Sequence, residues 1–111
     1  IDYVNAHGTG TENNDQSESL ALSKIFNEKV PSYSSTKAYT GHTLGAAGAI
    51  EAVFSVMAIQ NNTMWPSLNI KDPMSIIGAP LIETKAAPVN SVLSNSFGFG
   101  GNCSSLIFSE V

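Results

Sequence analysis

The order of strand-like and helical segments is the feature that most constrains the fold of this chain. Residues 1–6 form a short β-prone run, and residues 14–26 follow it with a helical pattern. The order then recurs, because residues 31–35 favour a strand and residues 44–60 a helix. Strands that alternate with helices in this way are typical of a parallel sheet.

The C-terminal part of the chain has a different pattern. Residues 65–88 contain four of the five prolines and favour an extended loop with short edge strands. Residues 91–95 and 106–109 resemble two adjacent strands joined through the glycine turn at 97–101. We therefore predict one α/β domain over residues 1–111, with a mixed sheet (βαβα, then antiparallel ββ) and a single layer of packed helices.

The first predicted helix carries a carboxylate on its apolar side. Its predicted apolar stripe consists of Leu22, Ile25 and Phe26. Glu18 lies four residues before Leu22 on that stripe, so it needs a partner in the folded protein. Asn14 or Asp15 is the expected N-cap, which we favour over a role for Asp15 and Glu18 as metal ligands.

The second predicted helix is apolar nearly all round, which is typical of a buried helix. Its only charged residue is Glu51, and an isolated carboxylate in such a helix is costly unless it is paired or protonated. Lys37 is the nearest cation in sequence. Two compatible interpretations remain open: a structural ion pair, or a pair that holds the loop carrying His42.

Three polar clusters each follow a predicted strand: His7, Lys37 with His42, and the turn at 97–101. Because the carboxyl ends of parallel strands meet at one edge of a sheet, these clusters predict a single site. A neutral imidazole can donate a hydrogen bond to a developing oxyanion. The small residues at 45–48 fit close helix packing better than a nucleotide-binding loop.

Composition excludes several classes of function. The net charge is −4, and the five basic residues are spread along the chain, so a nucleic-acid partner is not expected. Charged residues make up only 13% of the chain, which predicts that part of its surface meets a protein partner. We expect no membrane insertion, since no uninterrupted apolar run reaches about 18 residues. The single Cys103, expected to be a buried thiol, fits a cytoplasmic location.

Five motifs then occur in an order and spacing that resemble the C-terminal half of condensing ketosynthases, the β-ketoacyl-(acyl-carrier-protein) synthases. The motifs are His7-Gly-Thr-Gly-Thr, Ser35-Thr-Lys37, Thr40-Gly-His42, Gly45-Ala-Ala-Gly-Ala-Ile-Glu51 and Asn95-Ser-Phe-Gly-Phe-Gly-Gly101. The resemblance is strongest to the elongating type II enzymes of fatty-acid and polyketide synthesis. It implies a thiolase-like fold, of which this chain is a partial C-terminal half.

The resemblance also implies roles for individual residues. His7 and His42 match the paired histidines that stabilise the enolate and thioester oxygens, Lys37 the active-site lysine, and Glu51 its carboxylate neighbour. Phe99 matches a gating phenylalanine. In the family, a cysteine from the first half carries the acyl group, and that residue is absent here. The implied partners are an acyl carrier protein loaded with an acyl or malonyl group and the missing N-terminal half, and no cofactor or metal is expected.

Departures from the family pattern bear on substrate and subfamily. Asn102-Cys103 stands where the elongating enzymes usually have Thr-Asn, and Asn13-Asn14 replaces Leu-Gly. Because the chain opens at Ile1 in a strand-like run, we expect it to be part of a longer protein. Because the nucleophilic cysteine of the family is absent, we expect the chain to be inactive alone. The alternatives are a non-catalytic module that binds a carrier protein or synthase subunit, and a small metal enzyme that uses His7, His42 and an acid. Exposed sheet edges and helix faces predict a homo-oligomer.

Overall fold

A computed structural model of the chain describes residues 1–27, 29–74 and 76–111. The strands are β1 (Tyr3–Asn5), β2 (Ser32–Ser34), β3 (Thr63–Met64), β4 (Lys85–Ala86), β5 (Ser91–Phe97) and β6 (Cys103–Ser109). The helices are α1 (Glu12–Phe26), α2 (Lys37–Thr40) and α3 (Ala47–Asn61), with 3-10 turns at Leu44–Ala46 and Phe99–Gly101. The predicted order of strands and helices is confirmed.

The main sheet has the strand order β2-β1-β5-β6. β1 is parallel to both of its neighbours, with Val4 opposite Tyr33 of β2 and Leu93 of β5. β6 is antiparallel to β5 and pairs along the whole strand, from Ser91 opposite Ser109 to the glycine turn. β3 and β4 form a separate antiparallel pair. The predicted α/β class, with a mixed sheet and an antiparallel C-terminal pair, is confirmed.

Helices cover both faces of this sheet, so the predicted single helical layer is wrong. On one face, Tyr3 and Val92 pack against Ala58 of α3 in the hydrophobic core. Side chains alternate along β5, and on the opposite face Asn95 bonds to Glu18 of α1. The strand order gives the reason. From β1 the chain crosses to β2 at one edge of the sheet, and from β2 it crosses back past β1 to β5. Two right-handed crossovers in opposite directions place their helices on opposite faces.

Helix α1 begins earlier than predicted, and its apolar stripe is narrower. Thr11 is the N-cap, so Asn14 and Asp15 lie inside the first turn and do not cap the helix. Leu22 is buried together with Glu18, as predicted, but the side chain of Ile25 is 68% exposed. The buried face of α1 therefore runs through Glu18 and Leu22, which lie four residues apart.

The segment predicted as a polar loop after β2 contains the short helix α2. This single turn begins at Lys37, whose side chain is buried, and Gly41 ends it with a φ of 73°. Because glycine adopts a positive φ without steric cost, the chain can turn sharply here before His42. The segment between β2 and α3 was predicted as a loop, and it contains one helical turn.

Helix α3 is apolar all round, but the prediction that it is buried is wrong. Together with the 3-10 turn, Leu44–Asn61 has a mean hydropathy of 1.3 and is long enough to cross a membrane by length and composition, although only 22% of it is buried. Core helices of water-soluble proteins also meet these criteria. Glu51, buried in the middle of α3, pairs with Lys37, and the same side of the helix packs on the sheet. These contacts bury one side of α3 against the sheet and leave its other side exposed.

The proline-rich segment runs along the free side of β2. The backbone N–H of Ser67 donates to the carbonyl of Leu81 at 2.7 Å, which brings two parts of the segment together. The N–H of Leu81 donates to the carbonyl of Tyr33 at 2.9 Å. The Tyr33 hydroxyl donates to the Gly78 carbonyl at 2.6 Å. The predicted extended loop is confirmed in the described residues, and one short strand, β4, lies inside it while its partner β3 ends just before it.

Candidate active site

The carboxyl ends of β1 and β2 bring two predicted site residues together. His7 follows β1 by two residues, and Lys37 opens α2 just after β2. Because the strands are parallel neighbours, both side chains reach the same edge, where Lys37 Nζ lies 3.2 Å from His7 Nδ1. His7 is only 5% exposed and Lys37 only 8%, so this contact is shielded from solvent. The predicted convergence of these two residues is confirmed.

His42 completes the cluster from the more exposed side. Its ring centroid lies 5.5 Å from that of His7, and the two rings meet nearly edge to face at 86°. The backbone N–H of Leu44 donates to His42 Nδ1 at 3.1 Å. Leu44 has a φ of 54°, a left-handed conformation that leucine rarely adopts. With Nδ1 accepting this bond, neutral His42 carries its proton on Nε2.

His7 has the same tautomer for a different reason. The ammonium group of Lys37 can only donate, so His7 Nδ1 accepts and the proton of the neutral ring lies on Nε2. Burial, followed by the charges of Lys37 and His42, lowers the pKa of His7 to about 4. His7 is therefore neutral at pH 7, as the predicted role of a hydrogen-bond donor requires.

Glu51 is the buried partner of Lys37, which confirms the predicted ion pair. Glu51 Oε1 accepts from Lys37 Nζ, and Oε2 accepts from Ser96 Oγ at 3.4 Å. The backbone carbonyl of Glu51 accepts from Asn5 Nδ2 at 3.1 Å. Burial raises the pKa of Glu51, and the bond to Lys37 and its charge oppose that shift. The pair thus joins α3 to the start of α2, the helix that leads to His42.

Glu18 has the partners that its buried position requires. Its carboxylate accepts from the backbone N–H groups of His7, at 3.0 Å, and Gly8, at 2.9 Å. It also accepts from Asn95 Nδ2 at 3.0 Å, and Asn95 in turn accepts from Ser105. Glu18 therefore fixes the backbone of the loop that carries His7 to the middle of the sheet.

The glycine turn contributes a different aromatic residue from the one predicted. The Phe99 side chain is fully exposed, whereas the ring centroid of Phe97, the last residue of β5, lies 5.7 Å from that of His7. Phe97 and Asn95 had no predicted role, although both lie on the same face of β5 by alternation. The prediction that Cys103 is buried is wrong: it is exposed where β6 begins.

An open cavity of about 600 Å³ adjoins the cluster on the α1 side of the sheet. Its wall includes Lys37, His42, Glu18 and Tyr33, together with the proline-rich segment. Across residues 1–27, 29–74 and 76–111, no three His, Cys, Asp or Glu side chains come together as metal ligands would. The contacts of His7 and His42 are instead to Lys37 and to the backbone N–H of Leu44.

A family model for the β-ketoacyl synthase C-terminal domain matches residues 1–71, more than half of the chain. The chain belongs to the β-ketoacyl synthase family. The family predicted from the five motifs is thereby confirmed.

Curated relatives of this β-ketoacyl synthase chain match it along its whole length. It is 46% identical to the mitochondrial 3-oxoacyl-(acyl-carrier-protein) synthase of Arabidopsis thaliana, covering 100% of this chain and 26% of the relative. It is 41% identical to 3-oxoacyl-(acyl-carrier-protein) synthase 1 of Escherichia coli K12, covering 100% of this chain and 28% of the relative. The chain spans about a quarter of the length of these relatives.

Solved ketosynthase structures share the fold. The ishigamide ketosynthase/chain length factor superposes with a TM-score of 0.94 at 32% identity, over 100% of this chain and 28% of that one. AntDE:AntF, a type II polyketide synthase acyl-carrier protein in complex with its ketosynthase, gives 0.92 at 31% identity with the same coverage. The thiolase-like fold of this β-ketoacyl synthase chain is confirmed, and the chain matches the C-terminal part of its longer relatives.

Gly8 provides a test of how tightly the His7 loop is held against β2. A Cβ atom on Gly8 would lie 2.5 Å from Ser35 Cβ, and its φ of 42° disfavours any other residue. We predict that Gly8→Ala lowers the free energy of unfolding by about 2–4 kcal/mol through overpacking and strain. Urea denaturation of the chain measures this loss.

Two double variants separate the clash from the hydrogen bond that Ser35 Oγ donates to the Gly8 carbonyl. Gly8→Ala with Ser35→Gly removes the clashing Cβ and should recover part of the lost stability. Gly8→Ala with Ser35→Ala removes only the contact with Ser35 Oγ at 2.9 Å and keeps that Cβ, so it should recover less. Equal recovery by both would mean that the close approach of Gly8 to Ser35 is not the cause.

Proposed function

We propose that this chain forms part of the active site of a 3-oxoacyl-(acyl-carrier-protein) synthase. The reaction is the decarboxylative condensation of malonyl-carrier protein with an acyl thioester in fatty-acid or polyketide synthesis. The observation that carries the proposal is the pairing of His7 and His42. Both Nδ1 atoms are occupied as acceptors, so both neutral rings have an Nε2–H group free to donate.

The reaction needs donors of this kind. When malonyl thioester loses carbon dioxide, the electron pair of the broken C–C bond moves toward the thioester oxygen and forms an enolate. The enolate carbon then attacks the acyl thioester carbon, and the thiolate that carried the acyl group leaves. Negative charge builds on oxygen in both steps, and fixed N–H donors stabilise that charge most when they are already oriented.

Lys37, supported by Glu51, determines the tautomer and the charge of His7. Lys37 Nζ occupies the lone pair of Nδ1 and, as a nearby positive charge, disfavours protonation of the ring. Glu51 offsets that positive charge inside the protein, where an unpaired ammonium would be costly. We assign Lys37, His7 and His42 as catalytic residues, with Glu51 supporting them and Phe99 as the predicted gate.

The acyl-carrying nucleophile is not among the residues that form this cluster. The only cysteine of the chain, Cys103, is exposed at the start of β6 and stands where the family usually has asparagine. Since the chain spans about a quarter of its relatives, we place the nucleophile in the remaining part of a complete enzyme. The chain alone is therefore inactive in condensation, and its proposed partner is an acyl carrier protein.

A chimera tests this proposal. This chain replaces the matching 28% of E. coli 3-oxoacyl-(acyl-carrier-protein) synthase 1, and malonyl-carrier-protein decarboxylation and condensation are measured for the chimera and the isolated chain. We expect condensation by the chimera and none by the isolated chain. Condensation by the isolated chain would disprove the assignment of the nucleophile. A folded chimera without either activity, beside an isolated chain that binds malonyl-carrier protein, would favour a non-catalytic binding module.

A further inference from the structure

The ring of Phe97 lies against the ring of His7, and no step of the proposed reaction uses it. The two ring centroids are 5.7 Å apart and the ring planes meet at 58°, a geometry typical of paired aromatic side chains. Two other neighbours of the His7 ring are polar: Lys37 Nζ lies 3.2 Å from Nδ1, and the ring of His42 meets that of His7 nearly edge to face. Among these three neighbours, Phe97 is the apolar one.

Phe97 holds its place because it belongs to a strand. It is the last residue of β5 and pairs with Cys103 of β6. Two residues earlier on the same face of β5, Asn95 donates to Glu18 Oε1, and the same oxygen accepts from the backbone N–H of His7. β5 therefore fixes His7 twice, at the backbone through Glu18 and at the ring through Phe97.

The charge of the His7 ring depends on its burial. His7 is 5% exposed, and burial is the largest cause of its low pKa of about 4, ahead of the charges of Lys37 and His42. Water at the ring would favour the protonated form, whose Nδ1–H would face the ammonium group of Lys37 and break the contact that orients the ring. A neighbour that excludes water therefore also preserves the orientation of Nε2.

We propose that Phe97 is a positioning residue for His7: its ring keeps water from the imidazole and holds it in the orientation that Lys37 sets. Phe99, the predicted gate, cannot do this, because its side chain is fully exposed. The effect of Phe97 on catalysis rests on the proposed function. Its effect on the His7 ring does not depend on the reaction and is measured in this chain alone.

Proton NMR titration of the full chain between pH 8 and 5 measures this effect, because the chain has only two histidines. We expect Phe97→Ala to raise the pKa of His7 from about 4 toward its ordinary value of 6.5, with at least roughly tenfold higher proton affinity. Phe97→Leu keeps an apolar side chain and should cause a smaller rise. Phe108→Leu, at the other end of the β5–β6 pair, is the matched control and should cause none.

The charged and titratable groups around His7 are unchanged in these variants, so a shift of its pKa reports lost shielding. Lys37 and His42 lower the pKa, Asp15 raises it, and Glu18 bonds to the backbone of His7. The residues of β5 that follow Val92, from Leu93 to Phe97, carry no charge.

A pH profile of malonyl-carrier-protein decarboxylation in the chimera tests the consequence for catalysis. Because only the neutral ring keeps its contact with Lys37, the rate of Phe97→Ala relative to wild type should fall by at least about twofold between pH 8 and pH 5. Phe97→Leu should restore most of this loss. A purely structural defect would lower the rate by the same factor at both pH values.

Failure of this inference and failure of the proposed function are distinguishable. An unchanged pKa of His7 in Phe97→Ala, or an equal rise in Phe108→Leu, would overturn the shielding role whatever the activity. A raised pKa with the same relative rate at pH 8 and 5 would overturn the link to catalysis. A raised pKa beside an inactive wild-type chimera would support the shielding role and count against the proposed function. If circular dichroism shows that Phe97→Ala does not fold, the rise in Phe97→Leu decides.

Discussion

Replacing Lys37 by methionine should lower the free energy of unfolding by about 3–5 kcal/mol, as expected when one partner of a buried ion pair is removed. The variant leaves the carboxylate of Glu51, which is 2% exposed, with Ser96 as its remaining side-chain partner. Urea denaturation at pH 7.5 measures the loss. Lys85→Met is the matched control, because Lys85 is exposed and its side-chain bond among the described residues is to Ser32, so we expect a change within about 0.5 kcal/mol.

The double variant Lys37→Met with Glu51→Leu separates the unpaired charge from lost packing. Replacing both partners of a buried ion pair by apolar residues of similar size is often neutral, so most of the lost stability should return. If the double variant is as unstable as Lys37→Met, packing around Lys37 and not the orphaned charge of Glu51 determines the loss.

The stability that Lys37→Met loses should also depend on pH. Burial raises the pKa of Glu51, and removing Lys37 takes away the bond and charge that oppose this shift. The folded state then prefers protonated Glu51, so the penalty is present above the folded pKa and falls as pH decreases through it. The stability difference between wild type and Lys37→Met should therefore be smaller at pH 5 than at pH 8. A difference that grows toward acid would contradict a charged, unpaired Glu51.

Sequence patterns predicted the strands and the convergence of the site because both depend on local order along the chain. Glycine-broken loops after β1 and β2 placed His7 and Lys37 at one edge once the strands were parallel. Glu18 and Glu51 were found because a carboxylate on an apolar stripe must have a partner. The partners of Glu18 were not found, since two of them are backbone N–H groups, which no residue type reveals.

Burial was predicted less well than secondary structure, and α3 shows why. Apolar residues all round a helix indicate that it is covered, but they do not indicate whether the cover belongs to the same chain. Ile25 and Cys103 were misplaced for a related reason: periodicity assigns residues to a face, whereas exposure depends on what packs against that face. The short helix α2 was missed because a single turn is too short to produce a periodic pattern.

Removing either histidine should nearly abolish decarboxylation. In the chimera with the E. coli enzyme, we expect His7→Ala and His42→Ala each to lower the rate of malonyl-carrier-protein decarboxylation by about 10²–10³-fold, the usual cost of losing one oxyanion donor. Tyr39→Phe is the nearby control, since it changes a partly exposed residue of α2 outside the proposed site and should keep the rate. A rate within tenfold of wild type for either alanine variant would remove that histidine from the catalytic set.

Glutamine at each position separates a hydrogen-bond donor from a proton-transfer group. A glutamine side chain keeps an N–H donor but cannot accept and release a proton as imidazole does. If the Nε2–H groups act only as donors, His42→Gln and His7→Gln should retain more activity than the alanine variants. If one histidine transfers a proton, its glutamine and alanine variants should be equally slow. His7, whose pKa is lowered to about 4, is poorly suited to hold a proton at pH 7, so we expect its glutamine variant to fall between wild type and alanine.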